Sequence, residues 1–342
     1  MNGRPLASVV VVTYNSERDI SRCLDSIHRQ SYAPLEVLVI DNDSSDRTED
    51  VVRHYEASCR FIKNTQNIGF AAAHNQGIRL TEGELYLALN PDVELTPSFI
   101  EEMVHAMDVD PLVGSVSGKL LRFASENGAP VIDSTGIYMT PTLRHLDRGS
   151  GEPDRGQYDR LQYVFGASGA AALYRRHMLD ALSIDGEYFD EDFFAYREDA
   201  DLAWRAQLLG WKALYTPRAV ARHERSVLPE RRKSLPAAIN MHSVKNRFLL
   251  RIKNQTLGEI LVLLLPSLWR DLQVVVYVFL FERTSLPGLT FVARHWGRVL
   301  AKREWIQSRR KVTAGQMLRW FRRNPVAHDV PQATLAGAHR TP

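Results

Sequence analysis

The chain has 342 residues, enough for one large domain or two modest ones, and its 44% apolar and 24% charged content is that of a globular protein rather than a disordered one. Two cysteines, Cys23 and Cys59, exclude a disulfide framework and favour a reducing compartment, with each thiol filling an apolar gap. The net charge of +3 is unevenly spread: residues 294–323 hold ten Lys and Arg against one acid, Glu304, which leaves the remainder at −6, so one end is suited to face anions.

No basic stretch followed by an apolar run precedes the first strand, and no signal peptide is expected. "SVVVVTYN" (Ser8 to Asn15) is a continuous β-branched run, as in a strand covered on both faces. A helix follows, with Ser16 as N-cap and Ile20, Leu24 and Ile27 at helical spacing. "LEVLVID" is a second buried strand, Thr48 to Ser58 a helix, "RFIKN" a third strand and "GFAAAHNQGIRLT" a helix. "ELYLALNPD" is a fourth strand, and "TPSFIEEMVHAM" a helix with Pro97 in its first turn.

Alternating β and α units predict a doubly wound, mainly parallel sheet of the Rossmann-like class. Ligands of such sheets bind at the carboxyl ends of the strands. Polar residues collect there: Thr13-Tyr14-Asn15, Asp41-Asn42-Asp43, strand three running on to Asn67, and Asn90-Pro91-Asp92. Asn, Pro and Asp close many strands as plain turn formers; four polar strand ends on one rim point instead to a site.

From Gly114 to Pro217 the pattern is mixed, with a loop at 149–159 and a small-residue strand in "YVFGASGAAALYRR". Asp190, Glu191, Asp192, Glu198, Asp199 and Asp201 then crowd into twelve residues at the start of a helix. The helix dipole accounts for one or two acids there; the rest repel one another unless some meet a cation. A linker is expected at Ser226 to Pro236.

The C-terminal third has two apolar runs of about ten residues, split by Pro266 and by Arg270-Asp271, where a bilayer span takes around twenty. Helices that lie in the membrane interface or pack on the first domain are expected. The basic segment, with Trp296, Trp305, Trp320 and Phe321 interleaved, suits anionic headgroups. Nothing in the first two thirds suggests nucleic acid.

The ordered series "VVVVTYNSERDISRCLDSI", "EVLVIDNDSSDRT", "NIGFAAAHNQGI", "LALNPDV", "GASGAAALYRR", "FDEDFFAYREDADLAWRAQLLGW" and "YTPRAVARHERS" resembles the inverting family 2 glycosyltransferases of GT-A fold, over residues 6 to 226. The similarity is greatest to the rhamnosyltransferase-like branch that builds bacterial surface polysaccharides. Division into a transferase domain (1–228), a helical basic and apolar extension (229–323) and a disordered tail (324–342) follows. The resemblance implies a nucleotide-diphosphate sugar donor, dTDP- or UDP-linked, with a divalent cation, Mg or Mn. It assigns Thr13, Tyr14 and Asn15 to the nucleotide, Asp41 to the base with Asp43 beside it, and Asn67 and Gly69 to the loop near the ribose and diphosphate. Asn90 stands where the family's first metal-motif acid is common, and Asp92 matches the acid that holds the metal, with His223 completing its shell. Asp199 matches the catalytic base, with Glu198 beside it. The acceptor implied is a hydroxyl of a lipid-linked or cell-surface glycan, on the cytoplasmic face of the cell membrane.

The chemistry fits those roles. A diphosphate leaving group gathers negative charge that a hard cation offsets. An inverting displacement needs one carboxylate to take the acceptor proton, and crowding among Glu198, Asp199 and Asp201 raises a pKa toward that task. Asp133 and Arg144 stay unassigned. Two rivals remain. A sugar nucleotidyltransferase needs a glycine-rich, lysine-bearing loop after strand one, and "TYNSERD" has neither. A degenerate sugar-nucleotide-binding scaffold is kept open by Asn90. "QMLRW" (Gln316 to Trp320) has the spacing found in processive polysaccharide synthases but lies too far from the acidic motif, so transfer of a single sugar is expected.

Overall fold

A computed structural model describes residues 3–126, 128–225, 236–324, 326–332 and 334. The first units are β1 (Ala7–Thr13), α1 (Ile20–His28), β2 (Leu35–Asp41), α2 (Thr48–Arg53), β3 (Arg60–Lys63), α3 (Phe70–Leu80) and β4 (Leu85–Leu89). Then come β5 (Val93–Leu95), α4 (Phe99–Met107), β6 (Val113–Glu126), β7 (Ala129–Ser134), β8 (Ile137–Met139), β9 (His145–Asp147), β10 (Gln162–Val164) and β11 (Ala171–Arg175). The chain continues through α5 (Arg176–Leu182), α6 (Glu198–Leu208), β12 (Lys212–His223), α7 (Ala237–Asn254), α8 (Leu257–Phe281), α9 (Leu286–Arg294), α10 (Trp296–Ser308), α11 (Ala314–Leu318) and β13 (His328–Asp329).

β3, β2, β1 and β4 form a parallel block, as the βα alternation predicts. Beyond β4 the sheet turns mixed: β11 runs antiparallel to β4 and β6, and β12 lies parallel to β6. The period of two along each strand divides the core. Val10, Val12, Tyr86 and Ala88 face a layer with Ala71, Ile78, Leu179 and Leu202, whereas Val9, Val11, Leu87 and Leu89 face Ile20, Leu24, Ile100 and Met103. Leu249 and Leu250 of α7 and Val299 and Ile306 of α10 belong to the first layer, so the C-terminal helices share a core with the sheet. In the segment expected to be a disordered tail, His328–Asp329 pairs antiparallel with β10 and Val330 is buried.

Several local expectations change. Ser16 does not cap α1, which begins at Ile20; its carbonyl accepts the Asp19 and Ile20 amides in a preceding turn. α2 stops at Arg53 and continues as turns, and Pro97 lies ahead of α4, whose N-cap is Ser98. The linker expected at 226–236 lies, up to residue 235, outside the described residues.

The largest correction concerns the two apolar runs. They are one continuous helix, α8, which contains Pro266 and is long and apolar enough to cross a membrane by length and composition. A Thr256/Glu259 capping box starts it. Asp271, which reads as a charge set mid-run, is turned inward to Arg247 and Arg251 of α7. The outer face is apolar, with Leu265 79% and Trp269 64% exposed. Trp320 and Phe321, read as headgroup contacts, are instead buried against Phe165 and Trp204. Trp296 alone of the four stays well exposed.

Candidate active site

The strand ends converge as predicted. Thr13 ends β1 buried, with its hydroxyl unpartnered, while Tyr14 is exposed. The Asn15 side chain accepts the Ser45 amide at 2.9 Å, joining the β1 and β2 tips. Asp41 is fully buried and its carboxylate holds the Ser44 amide and hydroxyl, so it shapes the turn from behind and leaves Asp43 as the exposed acid. Asn67 Oδ1 accepts the Gly69 amide at 2.9 Å, and the Gly69 carbonyl accepts from Asn42 at 3.2 Å. Gly69 has φ +86°, and a Cβ there would stand 2.6 Å from the Phe194 ring.

At the tip of β4 the Asn90 amide donates to the Ala170 carbonyl at 2.9 Å. Next to Ala170, the Gly169 amide donates to Asp199 Oδ2, also at 2.9 Å. The 169–170 turn therefore bridges the Asn90-Pro91-Asp92 tip to the start of α6. β5 pairs with β12 so that Val93 lies opposite His223, which brings the histidine to Asp92. His223 Nε2 is 3.4 Å from Asp92 Oδ1, and Nδ1 donates to Asp133 Oδ2 at 2.8 Å. Asp133, fully buried, also meets Arg225 Nε at 2.9 Å, and Arg225 reaches Asp147 at 2.6 Å. Burial by itself would lower the His223 pKa, but the Asp133 and Asp92 carboxylates outweigh it and push it up to about 9. Asp92 Oδ1 is buried without a hydrogen bond. Among the described residues no three His, Cys, Asp or Glu side chains form a ready metal cage. With the proton that Asp92 and Asp133 favour displaced, His223 would fit beside Asp92 as two positions of a cation shell whose remaining ligands come from elsewhere, as in sites that use one or two protein groups plus substrate phosphates.

Glu198 and Asp199 open α6. Burial and the Asp199 charge push the Glu198 carboxyl up to about 8, and its Oε2 has no partner. Burial also raises Asp199, with Asp147 adding to the rise and the Gly169 amide opposing it. Asp199 is only half-buried whereas Glu198 is buried, so Asp199 is the carboxylate open to a substrate. A folded-state pKa above the unfolded value means that the native state holds the extra proton. Stability therefore falls as pH rises from about 4.5 to about 8. Glu198→Gln is expected to remove that slope, an effect on the order of a few kcal/mol at most. Melting in chelator at pH 5 and pH 8 checks it: the variant should gain on the parent at pH 8, and an equal difference at both pH values rules the idea out.

The rest of the acidic run does not await a metal. Lys253 of α7 pairs with Asp190 and Asp201, and Lys302 of α10 with Glu187, Asp190 and Asp192, while Arg298 takes Asp192 and Arg205 takes Asp201. Part of the basic segment thus neutralises this loop. Between the paired acids and α6, Phe194, Tyr196 and Arg197 adopt positive φ of 64°, 71° and 74°. Each costs roughly 1–3 kcal/mol and persists where surroundings impose it. Here Asn246 of α7 imposes it, donating to the carbonyls of Phe193, Ala195 and Tyr196 at 2.9, 2.8 and 2.7 Å. Sequence reasoning missed Asn246, Gly169, Asp147 and Arg225 and left Asp133 unassigned, because each acts through partners distant in sequence.

Comparison with known proteins supplies relatives. The model of Glycosyl transferase family 2 matches residues 8–183. An N-acetylglucosaminyl-diphospho-decaprenol L-rhamnosyltransferase of Mycobacterium tuberculosis is 28% identical over 243 residues, 64% of this chain and 76% of that protein. An N-acetylglucosaminyltransferase of Sinorhizobium fredii is 28% identical over 228 residues, 64% of this chain and 52% of the relative. EpsH of Bacillus subtilis, whose own glycosyltransferase assignment is provisional, is 26% identical over 56% of this chain and 55% of its length. The chain thus spans about half the length of two of these relatives. Among solved structures, GalNAc-T7 with UDP, GalNAc and Mn2+ superposes with a TM-score of 0.57 at 13% identity, covering 74% of this chain and 48% of that one. Staphylococcus aureus TarS 1–349 in complex with UDP-GlcNAc does so at 0.55 and 16%, covering 88% and 89%. At these identities the likeness is one of fold, and the fold is GT-A.

Proposed function

Since the chain belongs to glycosyl transferase family 2, we propose that it is an inverting transferase that moves one sugar from a nucleotide diphosphate to a hydroxyl of a lipid-linked or cell-surface glycan. The observation that carries this reading is the 169–170 turn, which ties the strand tip bearing Asp92 to the carboxylate of Asp199. The nucleotide lies along the β1 and β2 tips, with Thr13, Tyr14, Asn15 and Asp43 in contact and Asp41 fixing the turn. Asn67, Gly69 and Asn90 border the diphosphate. Asp92 and, in its neutral form, His223 would hold the divalent cation, Mg or Mn, which would offset charge on the departing diphosphate. Asp199 accepts the acceptor hydroxyl proton as the new glycosidic bond forms and the sugar–phosphate bond breaks on the opposite face. Glu198, buried and neutral at ordinary pH, keeps a second negative charge away from the base.

The name of the mycobacterial relative supports rhamnose on a lipid diphosphate as the substrate class, and that of the rhizobial one an N-acetylglucosaminyl donor. Buried Trp320 supports single transfer over a synthase-like role for the Gln316 to Trp320 segment. The apolar outer face of α8, with Asp271 turned inward, supports peripheral seating on the cytoplasmic face of an anionic membrane.

A thermal-shift panel of dTDP- and UDP-sugars with Mg or Mn tests the donor assignment. A donor at 100 times its Kd should stabilise the fold by about 2.7 kcal/mol, several degrees of melting temperature. Melting unmoved by either class with both metals present would remove the donor reading.

A further inference from the structure

The cleft between α8 and α10 belongs to none of the site described above. A cavity of about 340 Å³ opens between α7, α8 and α10, walled by Phe248, Ile252, Ile260, Trp296 and Leu300. A second of about 690 Å³ adjoins it, sharing Leu300 and Arg303 and running to the 310–313 turn. The two ends differ in chemistry. The first is walled mainly by apolar side chains, its polar lining being Gln255, the shared Arg303 and the Arg251–Asp271 pair. The second carries Arg303, Arg310 and Lys311 against one acid in its wall, Glu304. Glu259 also faces Arg303 and Arg310, but from a fully buried position in the capping box, where it accepts the Thr256 amide at 2.6 Å. The Arg303 guanidinium is fixed at the junction by donation to the Ile252 carbonyl at 2.7 Å. Leu257, in the wall of the cationic end, begins the exposed apolar face of α8.

An apolar slot joined to a cationic one, at the edge of a face already suited to a bilayer, matches an amphiphilic anion. We propose that this groove binds one anionic phospholipid, its phosphate between Arg303, Arg310 and Lys311 and an acyl chain along Leu300 and Trp296. The inference rests on the membrane seating proposed above and adds a discrete site to it. No residue assigned to donor, metal or base lines the groove, which favours a bilayer lipid over the sugar acceptor.

Diffuse attraction to a charged surface and a discrete site make different demands. Diffuse attraction responds to any basic residue on the membrane side, at about a factor of five per charge. A site responds to position. The test is co-sedimentation of the full chain with vesicles of phosphatidylcholine alone and with added phosphatidylglycerol, at physiological salt. Phosphatidylglycerol should strengthen binding, and Arg310→Glu with Lys311→Glu should weaken it at least about tenfold more than Arg322→Glu with Arg323→Glu, the same charge change on exposed residues outside the groove. Leu300→Trp, which fills the slot without altering charge, should also remove the preference for phosphatidylglycerol. Equal losses from the two charge pairs, or an intact preference in Leu300→Trp, overturn the site while leaving membrane seating in place. Parent protein that binds neither vesicle overturns the seating itself. Unchanged melting temperatures exclude misfolding as the cause.

Discussion

Asp199→Asn is expected to lower kcat by about 10² to 10⁴, the usual contribution of a positioned general base, while donor binding survives. The replacement is nearly isosteric, and the amide oxygen can still accept the Gly169 amide that now bonds Oδ2. What it loses is the capacity to take a proton. Because burial raises the Asp199 carboxyl, the acid limb of the parent's pH–rate profile should lie above that of an ordinary aspartate, activity rising as the base ionises. Glu198→Gln should cost far less, since that buried carboxyl is neutral at the pH of activity. The readouts are single-turnover sugar transfer and the donor-induced melting shift. Turnover close to parental in Asp199→Asn ends the assignment, and collapse in Glu198→Gln alone moves the base to Glu198. Parental function in cells with Asp199→Asn would favour the scaffold reading that Asn90 keeps open.

Lys253→Met is expected to destabilise the fold by about 3 kcal/mol, roughly 4 °C in melting temperature. Lys253 is fully buried, pairs with Asp190 and with Asp201 at 3.0 Å, and lies 4.7 Å from the Phe193 ring centroid. Met fills the volume and stacks on the ring but leaves two buried carboxylates short of a cation. The loss sits at the low end for a broken buried pair because Lys302 still serves Asp190 and Arg205 still serves Asp201. Burial would raise the Asp190 carboxyl, yet Lys253 and Lys302 hold it well below the carboxylate range. A depressed acid stabilises the fold above its unfolded pKa, and that stabilisation fades as pH falls toward the folded one. The gap between variant and parent should therefore be widest at pH 7 and narrow near pH 3. Urea unfolding at both pH values decides it; a variant as stable as the parent at pH 7 shows that the pair contributes nothing.

The first sheet was legible because its cause is local. Unbroken Val9 to Val12 requires apolar cover on both faces, and two separate core layers supply it. The polar strand tips were equally legible, since βα alternation places them all at one rim. The partners of charged groups were not. Lys253 and Lys302 stand far along the chain from the acids they neutralise, so an acidic run that read as short of a cation was waiting for α7 and α10. Asp133 and His223 are 90 residues apart and meet only through strand pairing. The length of α8 escaped for a related reason. Pro266 and Asp271 are interruptions when read along the chain, but a helix can carry both once Arg247 and Arg251 receive the carboxylate. Periodicity and strand order, set by short-range sterics and hydrophobicity, are properties of the chain itself. Which charge faces which, and whether an acid holds a metal, a proton or a lysine, depends on distances that exist only after the chain has packed, because electrostatic energy inside a protein follows spatial neighbours rather than sequence neighbours.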